Sequence, residues 1–235
     1  MMKTQGIAIS IIALFLTISF NALVSAAEPI KPTVDQTFDF EKEAKIQEIK
    51  NLAVHEAFTA LCAQDFIIDE AFMHKAIYTA FAYRKEEAVA YAMGYLGTNQ
   101  DTTTGAGLEA SRDRLYVAKT ILQVFPQLSA SSMVNTYPNS NAVTKGNIIR
   151  AAGIIAGGEA IRSLLIQALD DKTFCEEINP EVFGDPLRIC DVAYNQLVLR
   201  YKIKNALRTI GTGHSIETRD GHIQLLKSRL SEADS

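Results

Sequence analysis

From residue 40 onward, apolar positions recur every three to four residues, and polar, proline or glycine breaks interrupt the pattern at short intervals. In FEKEAKIQEIKNLAVHEAFTALCAQDF, Ile46, Ile49, Leu52, Ala53, Ala57 and Leu61 share one face with Glu and Lys between them. This predicts a long amphipathic helix with room for one break. MHKAIYTAFAYRKEEAVAYAMGYL splits at Arg84, Lys85 and Glu86, and DRLYVAKTILQVFPQLSASSMVNTY splits at Phe125 and Pro126, where proline ends a continuous helix. RAAGIIAGGEAIRSLLIQALDD splits at Gly157 and Gly158. Two adjacent glycines cost about 2 kcal/mol inside a helix but serve well as a C-cap and turn, so this stretch predicts a hairpin of two helices. DPLRICDVAYNQLVLRYKIKNALRTI splits again near residues 199–201, and the chain closes with a glycine-rich turn and a short helix from about Asp220 to Leu230, suited to capping an array.

The breaks repeat. With Lys75, Leu115, Ile148 and Leu187 as segment starts, the separations are 40, 33 and 39 residues, a period expected of paired helices stacked in an α-solenoid. The reading is all-α: candidate hairpins at 74–96, 111–137, 144–171 and 185–210 within a domain spanning 40–231, followed by a tail at 232–235. IIRAAGIIAGGEAIRSLLIQALDD and DPLRICDVAYNQLV resemble HEAT repeats of the short HEAT-like kind. Ile149-Arg150 and Leu187-Arg188 match the aliphatic-Arg pair that opens the first helix, small residues follow, and a Gly-rich turn leads to a Leu-rich second helix ending in acids. The resemblance covers about residues 144–198, with weaker echoes over 74–137. It departs from the pattern at the Cys-bearing insertion before Asp185 and at the charged turn 84–86.

The amino end changes the picture from fold to address. MMKTQGIAISIIALFLTISFNALVSAAEP combines Lys3, an apolar run over 7–20, and small residues at Val24 and Ala26, the form of a secretory signal peptide cleaved after residue 26. An uncleaved anchor is the alternative, since residues 6–27 are long enough to cross a bilayer. Residues 27–39, with two prolines, read as an extended leader. Export would take the formal charge from -4 to -5 by removing Lys3 alone. That balance supplies no basic field for nucleic acid, and no second apolar run reaches spanning length.

Candidate chemistry is sparse. In an oxidising compartment cysteines pair by default; Cys175 and Cys190 flank a loop with two prolines and a glycine, and closing about 15 residues is worth roughly 3 kcal/mol, so that pair is the expected disulfide. Cys62 lies on an apolar stripe and reads as a buried free thiol. No Cys or His pair has the close spacing of zinc ligands, and no catalytic motif or cofactor signature is present. GTGHS at 211–215 reads as a helix-terminating turn. His214, within it, and His222, eight residues further on, read as exposed, and Asp65, Asp69 and Glu70 read as acids that complement a helix start. Two stripes carry the binding expectation. Tyr78, Tyr83, Tyr91 and Tyr95 crowd the first hairpin, with core filling as the competing reading. Arg200, Lys204 and Arg208, with Lys202 beside them, form a basic ridge, with a solvated face as the competing reading.

The HEAT-like resemblance implies a non-enzymatic binding or scaffolding role, and with the signal segment the expectation is an exported protein, periplasmic or secreted, that binds a protein or peptide along a helical-repeat surface. Two alternatives stay open: an inhibitor or immunity-type protein that blocks a secreted enzyme, and a lyase-like accessory enzyme of cofactor attachment, for which Asp65, Asp69, His214 and His222 would have to converge.

Overall fold

The computed structural model describes residues 34–63, 69–97, 105–176, 184–201 and 208–233. Among them are ten α-helices: α1 (Val34–Lys50), α2 (Val54–Leu61), α3 (Glu70–Phe81), α4 (Lys85–Gly97), α5 (Gly105–Val124), α6 (Pro126–Thr136), α7 (Ala142–Ala152), α8 (Gly158–Ala168), α9 (Ile189–Tyr201) and α10 (Ile216–Ala233). The described residues pair as β structure only at an isolated antiparallel bridge between Phe174 and Arg188. The chain is all-α, as its periodicity predicts.

Two compact units divide the chain, Met1–Lys45 and Ile46–Ser235. In the first, the described part is the leading portion of α1, which begins at Val34 inside the stretch read as an extended leader. Residues 1–33, including the stretch read as a signal peptide, lie outside the described residues.

In the second unit the sequence breaks at 84–86, 125–126 and 157–158 fall at helix boundaries, set by local chemistry. Pro126 occupies the first turn of α6, where its missing N–H costs no hydrogen bond. The Asp69 carboxylate accepts from Phe72 N–H at 3.1 Å to cap α3, and Asn141 accepts from Thr144 N–H at 2.9 Å to cap α7. The double glycine behaves differently from expectation. Helix α7 already ends at Ala152 with Gly153 as its C-cap, and Gly157 and Gly158 begin α8. Gly158 takes φ +58° at this start, a left-handed conformation open to glycine.

The core joins helices distant in sequence. Helix α2 packs on α3, α4 and α5; α4 lies against α5, α6 and α7; α8 lies against α6 and α9. Helix α7 packs more extensively on α9 than on its chain neighbour α8, so the segment 144–171 is two helices that each find their main partners elsewhere. Helix α8 buries Ile161, Leu164, Leu165 and Ala168, the i, i+3, i+4, i+7 face that its sequence marks. Helix α10 docks on α9 and spans 216–233, longer at both ends than the 220–230 read from sequence. Between α9 and α10, residues 208–215 are not helical, which shortens the segment read as 185–210.

Candidate functional site

Polar chemistry concentrates where α10 meets α9. At the start of α9 the Asp191 carboxylate accepts from the backbone N–H of Arg188 at 2.9 Å, as an acid three residues into a helix does in a capping box. The same carboxylate accepts from Arg188 Nε at 3.1 Å and Nη2 at 2.9 Å, and from Arg219 Nη1 on α10 at 2.6 Å. Asp191 and Arg219 are fully buried, and Arg188 nearly so. Arg219 also donates from Nε to His214 O at 3.1 Å, from Nη1 to Pro186 O at 3.0 Å, and from Nη2 to Asp185 O at 3.1 Å. A guanidinium carries five N–H donors in a fixed fork, and this one ties α9, α10 and both flanking loops together. Asp220 completes the knot as a close ion pair with Arg188 at 2.7 Å and with Lys172 at 2.9 Å. Lys172 and Arg188 hold the Asp220 carboxyl below the usual range, and the bonds to Asp191 hold the Arg188 guanidinium more firmly charged.

Beside this knot is a surface pocket of about 220 Å³ lined by Gly184, Asp185, Thr212, Gly213, His214 and Ser215. The GTGHS turn therefore leads into α10 and does not end a preceding helix, and Ser215 Oγ accepts from Thr218 N–H at 3.3 Å. His214 Nδ1 accepts from Gly211 N–H at 3.2 Å. That bond uses the Nδ1 lone pair and puts the proton of the neutral ring on Nε2, which leaves no lone pair for a metal. The structure brings His214 and His222 together, with ring centroids 6.5 Å apart and planes at 78°. His222 Nδ1 lies 3.5 Å from Tyr194 Oη, and Tyr194 donates to Arg208 O at 3.1 Å. Asn195 clamps the same loop twice, by Nδ2 to Ile210 O and by Oδ1 from Ile210 N–H, both at 2.8 Å. Sequence reasoning missed Asp191, Tyr194, Asn195 and Arg219; the one signal available was a run of polar residues on the otherwise apolar α9.

The acids weighed for catalysis do not join this cluster. The Asp69 carboxylate is spent on the α3 cap, Glu70 pairs weakly with His74 at 4.0 Å, and Asp65 lies outside the described residues. Helix α3 packs on α2 and α5, whereas the histidines belong to the α9–α10 end. Among the described residues, no three His, Cys, Asp or Glu side chains group as metal ligands.

The tyrosines divide between packing and display. Tyr91 and Tyr95 pack tilted against Phe58 with ring centroids at 5.1 and 5.7 Å, and Tyr78 stacks on Phe125 at 6.3 Å while remaining 61% exposed. Tyr83, in the turn between α3 and α4, is 90% exposed with Lys50 Nζ 5.5 Å from its ring centre. Arg84 fastens that turn to the end of α1 by donating to Lys50 O at 3.3 Å. On the basic ridge, Arg200 donates to Ala152 O at 2.9 Å and so closes the carboxyl end of α7. Arg208 is exposed. Lys202 and Lys204 lie outside the described residues.

The expected Cys175–Cys190 disulfide is not formed; Cys62, Cys175 and Cys190 are free thiols. Backbone pairing explains the separation. Cys175 N–H bonds Leu187 O, while Cys190 N–H bonds Asp171 O four residues further back along the facing segment. Cys175 turns toward Gly146 of α7, where an added Cβ would stand 2.6 Å from Cys175 Cβ, and Cys190 Sγ faces Asp191 at 3.8 Å. Burial pushes the Cys175 thiol up to about 11 and Cys190 to about 12. Cys62, also raised by burial to about 11, donates to Phe58 O at 3.2 Å. Thiolate is the reactive form, so the native protein at pH 8 is expected to react slowly with Ellman's reagent and to release three thiols per chain in guanidinium. A release of one thiol would restore the disulfide.

Among the described residues, no helix is long and apolar enough to cross a membrane. Comparison with family models, with curated proteins and with solved structures finds no match to this chain.

Proposed function

We propose that the chain is an exported binding protein whose helical-repeat surface, HEAT-like over about residues 144–198, engages a protein or peptide partner. The observation that carries the reading is the display of Tyr83, 90% exposed, on a turn that Arg84 holds to α1, beside Tyr78 of α3, which is 61% exposed. Tyrosine supplies large contact area at low entropic cost, and aromatic anchors dominate the energetics of interfaces. Tyr91 and Tyr95, packed on Phe58, are the supports of this face. The ridge contributes through Arg208, and through Lys204 in the sequence between it and Arg200.

The test is a pull-down of extracytoplasmic proteins with the mature chain against a bead control, followed by titration of the retained partner. Tyr83→Ala is expected to weaken that affinity by roughly 30-fold, the size of a 2 kcal/mol anchor, with an unchanged melting temperature. Unchanged affinity in both Tyr83→Ala and Tyr78→Ala overturns the aromatic face. A single partner held at equal stoichiometry, with its enzymatic activity lost on binding, would make the protein an inhibitor of the immunity type.

A further inference from the structure

The exposed ring of Tyr83 stands among cations. Lys50 Nζ lies 5.5 Å from its centre, and the adjacent Arg84 donates from Nη2 to Lys50 O at 3.3 Å, which brings the end of α1 against the α3–α4 turn. Lys85 follows as the first residue of α4. Lys50 and Lys85 are exposed, and among the described residues no carboxylate lies within ion-pair distance of either, or of Arg84. Helix geometry explains the arrangement. Lys50 falls in line with Ile46 one turn earlier, and Lys85 in line with Ala88 and Val89; all three of those residues are buried. Each lysine therefore carries a packed helix face past its own end. The acids of the same helices point elsewhere. Glu48 is on the far side of α1 from Lys50, and Glu86 and Glu87 run along the outward face of α4 with Ala90 and Tyr91.

The chain as a whole has a formal charge of -4, so it repels an acidic partner at long range. Attraction has to be local, within the roughly 8–10 Å over which exposed charges act in physiological salt. The turn meets that condition with three cations around one displayed ring. Tyr78, on the last turn of α3, adds a second exposed ring supported by Phe125 at 6.3 Å. Such rings supply apolar contact, while Lys and Arg supply the donors that carboxylates accept. We infer that the partner is recognised through an acidic segment: an apolar side chain of that segment seats on Tyr83 and Tyr78, and flanking Asp or Glu carboxylates meet Lys50, Arg84 and Lys85. The inference rests on the binding role proposed above and names the chemistry of its partner. A flat anionic membrane suits the turn less well than a narrow segment, because it would press Glu86 and Glu87 against like charge. The sign of the salt effect separates local from global electrostatics. Salt weakens contacts between opposite charges, whereas it would strengthen an association opposed by the net charges of the two bodies.

Fluorescence anisotropy of the full chain with three labelled peptides tests this. The peptides share Leu and Gly at the same positions and carry Glu, Gln or Lys at the rest. At low salt the Glu peptide is expected to bind at least 10-fold more tightly than the Gln peptide, with the Lys peptide weakest, and raising the salt tenfold is expected to erase most of that preference. Lys50→Gln combined with Lys85→Gln is expected to cost the Glu peptide at least 10-fold and to leave the Gln peptide unchanged, with an unaltered melting temperature. Tyr83→Ala is expected to weaken both peptides. Equal binding of the Glu and Gln peptides, both weakened by Tyr83→Ala, overturns the acidic partner and leaves the aromatic face standing. A Glu peptide insensitive to Tyr83→Ala overturns both. Absence of binding by the Glu peptide overturns the acidic partner, and retention of phosphatidylglycerol vesicles in its place would assign the cations to a membrane surface. Should the double variant fail to fold, the wild-type salt series decides, and a Glu-peptide affinity that is flat or rises with salt overturns the inference.

Discussion

Replacing Asp191 by Asn is expected to lower the unfolding free energy by about 3–5 kcal/mol, the usual cost of removing one partner from a buried ion pair. The carboxylate is fully buried and receives Arg188 through Nε, Nη2 and the backbone N–H, and Arg219 through Nη1. Asn keeps the shape but not the charge, so two guanidinium groups are left sharing a neutral amide away from solvent. Arg188 retains Asp220 at 2.7 Å. Arg219 retains three carbonyls, which satisfy its hydrogens without neutralising it. Urea unfolding followed by far-ultraviolet circular dichroism measures the loss; a midpoint within error of the wild type would show that the two arginines are compensated without Asp191. The sharper form of the test replaces Asp191, Arg188 and Arg219 together by apolar residues of similar volume. Most of the lost stability is expected to return, because the large penalty comes from stranding a charge and not from lacking the pair.

Gly184→Ala is the second large effect, on the order of 1–3 kcal/mol from backbone strain, with a steric conflict added. Gly184 holds φ +102°, which an L residue rarely adopts, and an added Cβ would run into the backbone carbonyl of Thr212. A carbonyl in a clamped loop does not yield as the tip of a flexible side chain does. The substitution pushes the 184–185 loop from the 212–215 turn and so opens the pocket. Gly94→Ala serves as control. Gly94 lies inside α4 with nothing within 4 Å of an added Cβ, so alanine there is expected to stabilise the helix by about 0.4–1 kcal/mol. Melting temperatures that move together in the two variants would remove the strain account of Gly184.

The apolar face of α8 and the start of α6 were legible in the chain because their causes are local. Leu164 and Leu165 recur at helical spacing, and Pro126 breaks a helix wherever it stands. The extended leader failed at Val34 because the prolines that suggested it end at Pro32, before the helix begins. The expected disulfide failed because loop closure counts residues between thiols but says nothing of their direction, and Cys175 and Cys190 turn to different neighbours. The basic ridge was readable as charge, yet the role of Arg200 depends on an α7 carbonyl from a residue 48 positions away.

The sequence by itself determined an all-helical chain and the places where its helices break, since periodicity, prolines and capping residues act within a few residues of themselves. The tertiary structure decided which polar groups meet. Arg219 is bonded to Asp191, Pro186 and Asp185 across 28 to 34 residues, and two of its three backbone acceptors lie on that distant loop. A backbone carbonyl can be supplied by any residue type, so no pattern of side chains marks it beforehand. Packing of α10 on α9 selects those partners, and the same packing buries the charge that makes them matter.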